Sequence, residues 1–242
     1  MTLPLAGKTV LVTGAAKRVG RSIALSLAKA GANVAITYLK SQPEAENTVR
    51  ELAESDVEAL AIRCDLRNPE DIQQTMASVI ERFGGIDLLV NNAGMFGSAA
   101  LEDIQVEQWD EMYATNTRAP FLMAKAAHPY LRAVRGRIVN LGSLGGVHPW
   151  ATHAHYCTSK AAMHMLSQTM AKAWAPEISV NCVAPGMIVN GEVGAAYERF
   201  ALKTPMQRNG TGEDVAAAVL FFATAPHFIT GQFLAVDGGL GL

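Results

Sequence analysis

Short apolar, β-branched runs recur along this chain at residues 9–12, 34–37, 59–64, 86–91, 137–141, 178–183 and 233–236. Between them lie stretches with helical periodicity, at 18–30, 44–55, 69–83, 108–131, 156–174 and 212–223. A strand written as an unbroken apolar run, rather than as alternating apolar and polar residues, is buried on both faces. Strands of that kind separated by helices form a parallel sheet, because each helix carries the chain back to the starting edge. The expected fold class is α/β: a doubly wound, seven-stranded parallel sheet with helices on both faces. Right-handed crossovers place a ligand site at the carboxyl ends of the strands, near the switch in strand order. Half of the residues are hydrophobic and 17% are charged, which suits a sheet covered twice. No linker, repeat or low-complexity stretch interrupts the alternation, so residues 1–242 read as a single domain.

Charge and cysteine usage exclude several function classes. A formal net charge of −2 offers no attraction to nucleic acid or to an anionic membrane surface. Cys64, Cys157 and Cys182 have no metal-ligand spacing and an odd count, which fits reduced thiols in a cytoplasmic protein. Residues 1–7 lack the basic and apolar segments of a signal peptide, and no apolar run has membrane-spanning length.

Chemistry enters with Tyr156 and Lys160, in Tyr156-Cys157-Thr158-Ser159-Lys160. A spacing of four puts a phenol and an ammonium on one helix face, a turn apart. A neighbouring positive charge favours phenolate, so Lys160 is expected to lower the Tyr156 pKa from its ordinary value near ~10. A phenol tuned in this way protonates a developing alkoxide, or accepts the proton of an alcohol in reverse. Ser143, in Asn140-Leu141-Gly142-Ser143, lies on a strand-end loop from which its hydroxyl can bind the same oxygen. At the other end of the chain, Thr13-Gly14-Ala15-Ala16-Lys17-Arg18-Val19-Gly20 joins the first strand to the first helix. Backbone N–H groups at such a helix start favour anions, which makes this turn a phosphate cradle. Of the dinucleotide fingerprint's glycines only Gly14 and Gly20 are present, and Arg18 stands where the middle one is expected.

Taken in order, these segments resemble the short-chain dehydrogenase/reductase family over nearly the whole chain. The matching residues run from Thr13 to Gly20, then Asp65, Asn91-Asn92-Ala93-Gly94, Asn116, Ser143, Tyr156 and Lys160. Pro185-Gly186 and Asp237-Gly238-Gly239 complete the series. The resemblance implies a Rossmann-type fold and an oxidoreductase. It implies a catalytic set of Asn116, Ser143, Tyr156 and Lys160, in which Asn116 orders a water relay behind Lys160 and Lys160 binds the nicotinamide ribose. It assigns cofactor contacts to Gly14, Lys17, Arg18, Val19 and Gly20 in the turn, and to Asp65, Leu66, Asn92, Ala93 and Gly94 after later strands. Pro185, Gly186 and Ile188, with Tyr156 and Lys160, complete that set. A homotetramer is implied as well, assembled through bundles of the Asn116 and Tyr156 helices. The residues themselves support an oligomer: Lys172 is the one charged side chain from 161 to 174, while Met163, Met165, Leu166, Met170 and Trp174 are spread around that helix. A helix apolar on most of its circumference is buried on two sides.

Charge decides between the two nicotinamide cofactors. An NAD-binding domain places Asp or Glu at the end of the second strand, on the ribose 2′-hydroxyl. Here that strand runs into Thr37-Tyr38-Leu39-Lys40-Ser41, with no carboxylate before Glu44. Lys40 and Ser41, with Lys17, are suited instead to a 2′-phosphate through charge-assisted hydrogen bonds. The expected cofactor is NADP(H), and the expected direction is reduction.

The expected activity is reduction of a ketone or 3-oxoacyl carbonyl to the alcohol, with Ser143, Phe96, Tyr156 and Met187 facing the substrate. Three features resemble pteridine reductases instead: the arginine-bearing turn, Phe96 where those enzymes stack an aromatic on the pterin, and the short connection Ala175-Pro176-Glu177-Ile178. Those enzymes carry aspartate where this chain has Ser143, and Ser143 resembles the ketone reductases, including those acting on 3-oxoacyl thioesters. The short connection lacks a basic residue that thioester reductases use near the carrier protein. A dihydropterin reductase is the alternative reading, and a non-catalytic NADP-binding regulator a more distant one. His148, Trp150, His153 and His155 read as pocket lining, and with no Asp, Glu or Cys in their loop no metal site is expected. His128, His164 and His227 read as ordinary helix or turn residues, and Glu192, Glu198, Arg199 and Lys203 as solvated helix faces.

Overall fold

The structure, a computed structural model, describes residues 3–189 and 195–242. Its strands are β1 Thr9–Val12, β2 Asn33–Tyr38, β3 Ala59–Arg63, β4 Leu88–Asn91, β5 Arg137–Leu141, β6 Ser179–Pro185 and β7 Phe233–Val236. They form one seven-stranded sheet in the order β3-β2-β1-β4-β5-β6-β7. All pairs are parallel, with Val10 opposite Leu88 and Val12 opposite Val90 across the central β1–β4 junction. The chain winds outward from β1 to β3, then returns past β1 to β4 and winds the other way. The switch point therefore lies between β1 and β4, beneath the two loops that later carry the site. The expected doubly wound α/β fold is the one observed.

The helices are α1 Arg18–Lys29, α2 Gln42–Ala53, α3 Pro69–Phe83, α4 Val106–Tyr113, α5 Ala119–Val134, α6 Ala154–Trp174, α7 Ala195–Lys203 and α8 Gly212–Thr224. Double burial explains the unbroken apolar strands of the sheet's interior, whereas the edge strands β3 and β7 are half-buried and exposed despite the same pattern. Val10 and Val12 enter the layer with Ile23 and Leu27 of α1 and Val219 of α8, whereas Leu11 enters the opposite layer with Met76 of α3 and Met123 of α5. Burying a side chain of that size contributes roughly 2 kcal/mol, and neither face can lose it. Local signals set the helix ends: Asn68 accepts from the Glu70 N–H ahead of α3, and Gly84 closes that helix at φ 77.

Two differences from expectation bear on the site. The helix expected over 108–131 is interrupted, with α4 ending at Tyr113, a π turn over Ala114–Arg118 and α5 following. A π turn inserts a residue into the helical circuit, and the buried residue of this one is Asn116. The sixth strand runs on to Pro185, which pairs with Val236. Glu198, Arg199 and Lys203 are exposed around α7; Glu192 lies outside the described residues.

Candidate active site

The glycine-bearing turn packs directly on the loop after β4. Gly14 has φ 63, and a Cβ there would lie 2.9 Å from Ala93 Cα; one on Gly20 would lie 2.5 Å from Asn92 Nδ2. Thr13, whose role the sequence did not reveal, locks the two loops together. Its Oγ1 accepts from the N–H groups of Asn92 and Ala93 at 3.0 and 3.1 Å. The Asn92 amide donates back to the carbonyls of Thr13 and Gly14.

Arg18, at the position of the missing glycine, keeps a glycine's backbone: its φ is 55. A left-handed conformation costs an L-residue about 1–2 kcal/mol. Arg18→Gly is therefore expected to stabilise the protein by about 1 kcal/mol, seen as a higher urea midpoint. A lower midpoint would mean that the exposed guanidinium supports the turn.

Beside this turn is a cavity of about 430 Å³ whose wall includes Gly14, Lys17, Thr37, Lys40, Ser41, Asp65, Leu66, Ala93 and Gly94. The other expected cofactor residues are not on the lining of this cavity. Arg18, Val19 and Gly20 head α1, and Asn92 braces the turn. Pro185 and Gly186 end β6, where a Cβ on Gly186 would meet Asp237 at 2.6 Å. Met187 accepts from the Gly210 N–H at 2.9 Å, and Ile188 pairs with Gly210. Asp65 is bound by Arg67 at 2.7 Å, and that guanidinium holds its carboxyl at about 2. Lys17 and Glu44 form an exposed ion pair at 3.2 Å. The first carboxylate after β2 is thus occupied by a lysine, while Lys40 is exposed and Ser41 half-buried on the cavity wall. Backbone amides, lysines and a hydroxyl form a donor set that fits a phosphate-bearing dinucleotide.

The expected reactive residues converge at the ends of β4 and β5. Ser143 leaves β5 and caps the short turn Leu144–Gly146, its Oγ accepting from the Gly145 N–H at 3.1 Å. Tyr156 and Lys160 occupy the first turns of α6. The Lys160 ammonium is buried and donates to the Leu141 carbonyl at 2.9 Å. Burial holds its pKa down at about 8. The Tyr156 phenol, by contrast, is raised by burial, with the Ser143 hydroxyl acting in the opposite direction. The expected lowering by Lys160 is therefore not present here: Nζ is turned to Leu141, and loss of solvent around the phenol dominates.

Asn116 fastens the β4 loop to α6. Its Oδ1 accepts from the Met95 N–H at 2.7 Å, while Nδ2 donates to the Met95 carbonyl and to Ser159 Oγ, both at 3.0 Å. Gly94 lies between the two groups: a Cβ there would come 3.2 Å from Asn116 Oδ1 and 3.4 Å from Lys160 Nζ. Phe96 is 65% exposed, and its ring meets Tyr156 edge-on at 4.9 Å. Trp150 stacks on the same ring at 6.0 Å, and His153 lies 4.9 Å from Phe96. Of the side chains expected as pocket lining, Trp150 packs on the Tyr156 ring and His153 packs on Phe96 and Trp150, whereas His155 lies against Gly97 and His148 against Gly241.

Ser159 and His164 carried no legible signal. His164 is not an ordinary helix residue, since its Nε2 accepts the Ser143 backbone N–H at 3.2 Å.

A glycine-bearing turn at the switch point with donors that fit a phosphate, beside a serine, tyrosine and lysine, points to the class: an oxidoreductase built on a dinucleotide-binding type of sheet. Comparison with known proteins agrees. A family model described as Enoyl-(Acyl carrier protein) reductase matches residues 14–241. The chain is similar to the 3-oxoacyl-(acyl-carrier-protein) reductase FabG of Staphylococcus epidermidis, 36% identical over 240 residues that cover 96% of this chain and 98% of the relative. Among solved structures it is similar to a dehydrogenase/reductase from Sinorhizobium meliloti, with TM-score 0.95, 36% identity, and 100% and 98% of the two chains covered. A short chain dehydrogenase from Burkholderia cenocepacia in complex with NADP gives TM-score 0.93 and 37% identity over 99% of this chain and 100% of that one. The protein belongs to the short-chain dehydrogenase/reductase family. Among the described residues, no helix is long and apolar enough to cross a membrane.

Proposed function

We propose that this chain, acting as one domain over residues 1–242 in the cytoplasm, is an NADPH-dependent reductase of a ketone or 3-oxoacyl carbonyl. The observation that carries this reading is the convergence of Ser143, Tyr156 and Lys160 beside the cavity headed by Gly14. NADPH supplies the hydride. Ser143 holds the carbonyl oxygen, and Tyr156, kept protonated by its burial, donates the proton to it. Lys160 remains charged below about pH 8 and would hold the ribose of a bound dinucleotide, bringing its charge to the phenol. Asn116 orders the water that returns a proton behind Lys160. The names of the FabG relatives and the NADP-bound neighbour support this choice of substrate and cofactor.

The test is purified protein with NADPH and a panel of ketones, 3-oxoacyl thioesters, quinones and dihydropterins. A non-catalytic regulator would raise its melting temperature with NADPH and oxidise none. Phe96, presented edge-on to the phenol, is the observation that keeps a pteridine reductase in the panel. Dihydropterin reduction with no ketone reduced would establish that reading instead.

Cofactor preference has its own test. With Lys17, Lys40 and Ser41 on the 2′-phosphate, NADPH should bind more tightly than NADH, and Lys40→Asp should reverse the order. Each lost charge-assisted contact costs roughly 1.5–3 kcal/mol, about ten- to a hundredfold in affinity. Equal titration curves for the two cofactors in the unmutated protein would sink the argument.

We further propose a homotetramer that uses the outer face of α5 and α6, where Phe121 is 42% and Met165 63% exposed. Met165→Glu is expected to shift the mass seen by light scattering from four chains to two. An unchanged mass would place the interface elsewhere.

A further inference from the structure

We propose that His164 is a positioning residue for the reaction: its imidazole acceptor fixes the backbone of Ser143 and so the direction of the Ser143 hydroxyl. The inference rests on the carbonyl-reductase reading of Ser143. His164 lies four residues beyond Lys160 on α6, facing the loop that leaves β5. Its Nε2 accepts the Ser143 N–H at 3.2 Å. The Ser143 Oγ in turn accepts from the Gly145 N–H at 3.1 Å. With one lone pair of the hydroxyl occupied by that N–H, the O–H hydrogen is left to point at a carbonyl oxygen. Two hydrogen bonds therefore aim the donor, and His164 supplies one of them.

The loop is shaped around the ring. A Cβ on either Gly142 or Gly146 would overlap the His164 imidazole, so glycine at both positions lets the loop close over it. From another side the Phe233 ring of β7 meets the imidazole edge-to-face at 4.7 Å and 67°. Only an unprotonated Nε2 can accept, which places the ring hydrogen on Nδ1. The ionisable groups around His164 are Lys160 on its own helix and Cys182 on β6; residues 142–146 and Phe233 contribute none. Burial first, and then the Lys160 charge, hold the imidazole pKa at about 4, so the acceptor persists through neutral pH. Without it the Ser143 amide would be a buried donor with no partner.

The test compares the wild type with Ser143→Ala, His164→Leu, His164→Gln and the double variant Ser143→Ala/His164→Leu. The assay uses NADPH and the best ketone of the panel, at pH 7. His164→Leu should lower kcat about thirtyfold, the order expected when a contacting group is misplaced by a fraction of an ångström. Its affinity for NADPH should stay within about twofold, because the change acts through Ser143 and not through the dinucleotide cavity. His164→Gln, whose Oε1 can take the Ser143 N–H, should recover activity to within about fivefold of wild type. In the Ser143→Ala background, His164→Leu should cost less than about threefold more, because the group it aims is gone. Amide exchange over residues 143–146 should quicken in the Leu variant and not in the Gln variant. A Leu variant with wild-type kcat, or a loss that multiplies in full in the Ser143→Ala background, would overturn the proposal. Should His164→Leu not fold, His164→Asn, whose acceptor falls short of Ser143, takes its place in the same cycle. Wild-type turnover in Ser143→Ala alone would overturn the role of Ser143, and the inference with it.

Discussion

Tyr156→Phe is expected to lower kcat for carbonyl reduction by roughly two to four orders of magnitude, the range of a positioned general acid. NADPH affinity should remain within about twofold, because the substitution removes one oxygen and leaves the ring. The packing argues for that separation. Phe96 meets the Tyr156 ring edge-on, and Trp150 stacks on it. Both contacts are made by the ring and survive loss of the hydroxyl. Burial raises the phenol pKa, so at neutral pH the group is poised to donate a proton. Stopped-flow turnover and a fluorescence titration of NADPH, on one preparation, separate the two quantities. Near-normal turnover in the Phe variant would remove Tyr156 from the mechanism.

Lys160→Met should remove turnover by at least about two orders of magnitude while making the cofactor-free protein more stable. The Lys160 ammonium is buried, and Leu141 O is its hydrogen-bond partner in the structure. Its pKa is held at about 8 against an ordinary value of 10.5, which records how strongly the folded state disfavours its charge. That shift corresponds to about 3 kcal/mol, less about 1 kcal/mol for the hydrogen bond, so Met should stabilise by about 2 kcal/mol at pH 7. Below pH 8 both folded and unfolded chains carry the proton, and the wild type bears the whole penalty. Between pH 8 and 10.5 the unfolded chain keeps a proton that the folded one has released, so wild-type stability rises with pH through that window. The Met variant has no such term, and the gap between the two should narrow. Urea titrations at pH 7 and pH 9.5 test this; a Met variant less stable than wild type at pH 7 would contradict it. On the proposed mechanism, the lysine is charge kept in a dry site for chemistry, at the expense of the fold.

Legibility in the sequence followed apolar, β-branched runs, including that of the exposed edge strand β7. The runs at 9–12, 137–141 and 233–236 correspond to strands with the same limits. Strand ends that depend on a neighbour were less legible: β6 reaches Pro185 because β7 lies alongside it as far as Val236. Nothing in the composition of residues 108–131 signals a π turn, since it arises where Asn116 reaches across to Met95 and Ser159. The Tyr156 pKa went the other way from the charge argument for a similar reason. Spacing put an ammonium one turn from the phenol, but only packing turned that ammonium to Leu141.

The sequence by itself determined the layered α/β sheet, the glycine-bearing turn after β1, and the presence of the serine, tyrosine, lysine and asparagine on which the proposed reductase reading rests. Those are properties of periodicity and of short spacings, which the covalent chain imposes within a turn or a strand. Tertiary structure decided the rest. Arg18 takes a glycine's φ of 55 because the turn must close on Asn92 and Ala93. Lys17 engages Glu44 while keeping its place on the cavity wall beside Lys40 and Ser41. His164 holds the Ser143 amide from 21 residues away. Each of these depends on where two distant segments come to rest, and a hydrogen bond of about 3 Å is made or lost by displacements far smaller than any spacing in the sequence can specify.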